Sequence, residues 1–139
     1  EVKSNRRIRE NLCGKVNINV TSFNRNVLLT GEAQTLELKK EAEKLVRGVE
    51  NVRAVTNEVA IAGSSSFGSR SNDALITSKV KARFMDSGQF QVNHVKVVTE
   101  DAVVYLLGLV NAKEAENAVD IARSTNGVRK VVKVFEYQN

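Results

Sequence analysis

The chain has 139 residues, enough for one ordinary domain or two very small ones, and its 27% charged and 42% hydrophobic residues without any proline exclude a disordered or collagen-like chain. A single cysteine excludes a disulfide scaffold, and no apolar run reaches the roughly eighteen residues that a membrane-spanning helix needs. The net charge of +5 suits an anionic partner, a phospholipid surface or nucleic acid, and equally serves solubility.

At the start, Ile8 and Leu12 stand four apart, but Arg6, Arg7 and Arg9 crowd them, so only a weak or shortened helix is expected. Cys13-Gly14-Lys15 then runs straight into Val16. Segments 16–20 and 26–30 read as two strands around a turn at Phe23-Asn24-Arg25. After Gly31, Thr35 is placed to cap a helix whose apolar residues Leu38, Ala42, Leu45 and Val49 follow the helical period. Asn51, Val52, Val55, Val59 and Ile61 supply a closing strand. The serine- and glycine-rich stretch 63–70 reads as a flexible joint.

The second half begins with a helix from Ser71 to Asp86. Ile76, Val80 and Phe84 form its apolar stripe, with Leu75 beside them. Ser71, Asn72 or Asp73 can cap its start, and Gly88 can end it. Val95, Val97, Val103 and Tyr105 favour strands, with a hairpin turn at Glu100-Asp101. Asn111 and Glu114 have capping-box spacing, and Ala115, Ala118, Val119 and Ala122 line one face of the helix that follows. Asn126-Gly127 stops it. Val128, Val131, Val134 and Phe135 make the last strand.

The two halves spell nearly the same thing. VLLTGEAQTLEL and VYLLGLVNAKEA place Gly31 and Gly108 at matching points, each expected to end a strand where the backbone turns or passes close to a helix. The expected fold is α+β: two small two-layer sandwiches, each with a three-stranded mixed sheet and helices on one face, in the order α-β-β-α-β. The expected boundaries are 1–62 for the first domain, 63–70 for the joint and 71–139 for the second. In each unit the strand after the crossover helix should pair parallel to a hairpin strand, leaving one sheet face open.

Little in the sequence carries reaction chemistry. His94 is the only histidine, and with one distant cysteine it makes no metal cluster. The glycines stand singly, without a phosphate-binding signature. Ser64, Ser65, Ser66 and Ser69 have no base at a meaningful spacing, and no paired carboxylates suggest a hydrolase. No enzyme activity and no cofactor are expected. The best functional candidate is the helix from Asp73 to Asp86, where Lys79, Lys81 and Arg83 interleave with Ile76, Val80, Phe84 and Met85. Such a helix can pack on its own sheet, lie at an anionic membrane surface, or do both with different faces. A nucleic-acid role is not supported, because Tyr105, Phe135 and Tyr137 lack an accompanying basic signature or clamp.

The words VNINVTSFNRNVLLTGEA, SNDALITSKVKA, VVYLLGLV and NGVRKVV resemble the BON domain, and their double occurrence resembles the tandem-BON lipoproteins and periplasmic proteins of the bacterial envelope. The resemblance covers residues 16–61 and 71–137 well and the first fifteen poorly. It implies a periplasmic protein associated with the outer membrane, its lipidated cysteine removed or absent here, that binds anionic phospholipids such as phosphatidylglycerol and cardiolipin. It also leaves room for an envelope protein partner. Cys13 does not fit the lipidation cysteine, since no apolar leader precedes it. The implied lipid contact is the first helix of the second domain: Ser71, Asn72, Asp73, Ala74, Leu75, Thr77, Ser78, Lys79, Lys81, Ala82, Arg83 and Met85. The family places an aromatic where this chain has Ala74, which shifts weight onto Leu75, Lys79 and Arg83. Gly31, Gly108 and Gly127 are the implied structural positions.

Overall fold

A computed structural model of the chain describes residues 1, 3–6, 8, 16–61, 67–88 and 95–138, with backbone alone at 67–70. Leu12, Cys13, Gly14, His94 and the serines at 64–66 lie outside the described residues. The chain divides into two compact units, Glu1–Ser65 and Ser66–Asn139.

In the first unit, residues 3–6 and 8 have helical backbone, and Ile8 reaches the core. Strands β1 (Val16–Phe23) and β2 (Asn26–Ala33) form an antiparallel hairpin. Asn24 and Arg25 turn it with φ of 50° and 66°, the left-handed pair that a two-residue hairpin needs to match strand twist. Helix α1 (Leu36–Arg47) starts where the sequence indicates: Thr35 accepts a hydrogen bond from the Leu38 N–H at 3.2 Å. The closing strand is split into β3 (Ala54–Asn57) and β4 (Ala60–Ile61), both parallel to β2. Val20, Val27, Leu29, Ala42, Val46 and Val59 make the core.

The second unit repeats this plan. Helix α2 (Phe67–Ser87) leads into the hairpin of β5 (Val95–Glu100) and β6 (Val103–Val110), then α3 (Ala112–Arg123) and β7 (Lys130–Tyr137), which pairs parallel to β6. Asn111 and Glu114 close the expected capping box through reciprocal bonds of 2.8 and 3.0 Å. The core joins Ile76, Val80 and Phe84 of α2 to Val95, Val97, Val104 and Leu106 of the sheet and to Ala115, Ala118 and Ala122 of α3. Small residues let α3 lie close to the strands.

Four expectations change. Helix α2 begins at Phe67, so residues 67–70, read as part of the joint, are helical; serine and glycine weaken a helix without breaking it, and no proline intervenes. The second turn falls on Asp101-Ala102, with φ of 51° and 63°, one residue later than Glu100-Asp101. Gly31 and Gly108 lie inside β2 and β6, facing Ile18 and Val95, and do not end strands. Gly31 has φ of 111°, and a Cβ there would sit 2.1 Å from the Asn17 carbonyl oxygen of β1, so the close approach is to a strand. Finally, Ser71, Asn72 and Asp73, expected to cap α2, lie inside it because the helix starts four residues earlier.

Candidate functional site

Helix α2 is fixed along its inner side by four kinds of contact. Ile76, Val80 and Phe84 are fully buried. In its second turn, the Asp73 carboxylate accepts from two consecutive amides of the β5–β6 turn, Asp101 N–H at 2.8 Å and Ala102 N–H at 2.7 Å. A carboxylate with two oxygens fits two adjacent N–H groups, and the charge strengthens both bonds. At mid-helix the Thr77 and Thr99 hydroxyls meet at 2.7 Å. Towards the end, Arg83 Nη1 donates to the Ile121 carbonyl at 2.9 Å, the Thr125 hydroxyl at 2.8 Å and the Ser124 hydroxyl at 3.1 Å. The guanidinium thus sits on the C-terminal end of α3, where free carbonyls and the helix dipole favour a cation. Gly127 passes close on the same side: a Cβ there would meet the Ile76 side chain at 3.4 Å, and φ is +93°. In the first unit Asn51 takes the matching left-handed position with φ of 72°.

The outer side of α2 is free of these duties. Ser71, Asn72, Ala74, Leu75, Ser78, Lys79, Lys81, Ala82 and Met85 are all exposed. Leu75 and Met85 are unusually so for apolar residues, at 54% and 68%. At about 100° per residue, Leu75, Ser78, Ala82 and Met85 form one outward line, roughly 15 Å long. Lys79 and Lys81 flank that line, roughly 80° to either side. Among the described residues neither lysine makes an ion pair. Asp86, also exposed, adds one negative charge beside Met85.

The expected contact set therefore divides. Asp73 is buried and committed to the turn, which removes it from any contact with an anionic headgroup; Thr77 is half-buried against Thr99; Arg83 ties two helices together. The remaining members stand together on the outer face. Sequence periodicity shows the inner stripe of α2 but cannot assign Asp73 and Arg83, whose partners lie 28 and 42 residues away.

No described helix is long and apolar enough to cross a membrane, and the described residues contain no group of three or more His, Cys, Asp or Glu placed to hold a metal.

Known proteins resemble this chain along most of its length. It is 39% identical over 120 residues to the outer membrane lipoprotein DolP of Haemophilus influenzae, and 35% identical over 120 residues to a 21 kDa hemolysin of Actinobacillus pleuropneumoniae. Each alignment covers 86% of this chain and 62% of the relative. The osmotically-inducible protein Y of Escherichia coli is 32% identical over 117 residues, covering 82% of this chain and 58% of that protein. The chain thus spans about three fifths of the length of these relatives, and none of the three is named as an enzyme. The BON domain pattern matches twice, over residues 2–63 and 72–139, each match containing one hairpin, one crossover helix and a closing parallel strand, split in two in the first unit; the chain belongs to the BON-domain family.

Proposed function

We propose that the chain is a non-enzymatic protein of the bacterial envelope. In this reading it works in the periplasm at the inner face of the outer membrane, where its second unit rests on anionic phospholipid through the outer face of α2 and supports envelope integrity. The observation that carries the reading is the two-sidedness of α2: its inner face is fully used, yet its outer face holds Leu75 and Met85 in line between two lysines that make no ion pair among the described residues. The name of the Haemophilus influenzae relative, an outer membrane lipoprotein, supports the envelope setting.

The magnitudes point to weak, reversible docking. Burying the exposed parts of Leu75 and Met85 contributes about 1–1.5 kcal/mol each. Two lysines near an anionic surface add about 1 kcal/mol each. The sum is of the order that holds a single acyl chain marginally, so stable residence calls for a second attachment.

Liposome flotation tests this. Vesicles containing phosphatidylglycerol or cardiolipin should carry the protein at low salt and release it as salt rises, because the lysine contribution is screened. Neutral phosphatidylcholine vesicles should carry little. Lys79→Glu with Lys81→Glu should remove most binding, and Leu75→Asp should weaken it at every salt concentration. Unchanged binding of the double-lysine variant would overturn the assignment of this face. A periplasmic protein-interaction scaffold without lipid contact is the competing reading, and the absence of flotation on any anionic vesicle would favour it.

A further inference from the structure

Strand β7 lies at the edge of the second sheet, and among the described residues no strand pairs with its outer side. It is eight residues long and continuous. The matching edge of the first unit is interrupted at Glu58 and Val59, between β3 and β4, a break of the kind that discourages pairing with other chains. β7 has no such break.

Its backbone polarity follows from the ladder. The Gln138 N–H bonds to the Val110 carbonyl, and a parallel ladder alternates. Val131, Lys133, Phe135 and Tyr137 therefore turn both N–H and C=O towards the outer edge. Their side chains lie on the helix side of the sheet, where Val131 and Phe135 pack on the core. Between α3 and this edge is a groove of about 430 Å³, lined by Ala115, Val119 and Glu116 of the helix and by Lys133 and Tyr137 of the strand. Asp120 and Arg123, also on its helix side, bond to each other at 2.7 Å. The side chains of Glu116 and Lys133 make no hydrogen bond or ion pair to any described residue.

We propose that this edge and groove take an extended segment of another polypeptide, added beside β7 as a fourth strand of the second sheet. Donor and acceptor pairs repeating on every second residue are matched by an extended main chain and not by a lipid or a nucleic acid. The segment's alternate side chains enter the groove. Those over Ala115 and Val119 are short and apolar, and the one over Lys133 is acidic, giving the free ammonium a partner. This site is separate from the outer face of α2 and stands whether or not that face meets lipid.

The test uses a capped nonapeptide of alternating valine and threonine, with glutamate at the central valine, titrated into the ¹⁵N-labelled full chain. Saturable amide shifts should appear at Val131, Lys133 and Phe135 and along Glu116–Arg123. N-methylating the peptide amides that face β7 should abolish binding, while N-methylating the alternate set should leave it. Lys133→Glu should weaken binding about fivefold or more, and a lysine-centred peptide should recover it on that variant. Thermal unfolding of Lys133→Glu confirms that it is folded. The absence of shifts at millimolar peptide, equal binding of the two N-methyl series, or shifts remote from β7 would overturn the proposal.

Discussion

Removing the Asp73 carboxylate should unfold the second unit selectively. Asp73→Ala deletes two charge-assisted bonds, at 2.8 and 2.7 Å, to the Asp101 and Ala102 amides. Such bonds are worth about 1.5–3 kcal/mol each. The turn is partly solvated, with Asp101 exposed and Ala102 half-buried, so water recovers some of the loss. A net cost of about 2–4 kcal/mol follows. For a unit of this size that corresponds to a fall in Tm of roughly 10–25 °C. The assay is built into the sequence: both tyrosines, Tyr105 and Tyr137, belong to the second unit, and the chain has no tryptophan. Tyrosine fluorescence therefore follows that unit alone, while far-UV circular dichroism follows both. Ala102→Gly, which relieves a left-handed alanine with φ of 63°, should restore about 1 kcal/mol to the Asp73→Ala protein. A tyrosine-detected Tm within about 3 °C of the parent would refute the clamp.

Three further outcomes are expected. Gly31→Ala should cost about 3 kcal/mol or more, because φ of 111° and the Asn17 carbonyl oxygen both oppose a Cβ; an early circular-dichroism transition should appear with the tyrosine transition unmoved. Thr30→Val should stabilise the first unit by about 1 kcal/mol, read as a higher urea midpoint, since the Thr30 hydroxyl is buried without a hydrogen-bond partner among the described residues. Arg83→Ala should destabilise the second unit by about 1 kcal/mol through loss of its bonds to the end of α3, and should leave flotation unchanged in the folded protein.

Much of the architecture was legible because the chain states it twice. The Thr35 cap and the Asn111–Glu114 box depend on neighbours within a few residues, and each appears where local chemistry puts it. What was not legible depends on distance. The break between β3 and β4 and the close approach at Gly31 are set by pairing across the sheet. The division of α2 into a committed side and a free one is similar. The pattern shows Ile76, Val80 and Phe84 facing one way, but the duties of Asp73 and Arg83 exist only once the hairpin and α3 are in place. A polar residue on a helix reads as exposed until its long-range partner is known.

The pinning of α2 has a kinetic consequence. Many surface-active peptides are coil in water and become helical only on arrival at a bilayer, so their attachment carries an ordering cost. Here the rod is already wound and held at Asp73, Thr77 and Arg83 before any vesicle is met. On the proposed lipid contact, attachment should therefore be a rigid-body landing, limited by encounter, that leaves the far-ultraviolet spectrum of the protein as it was in buffer.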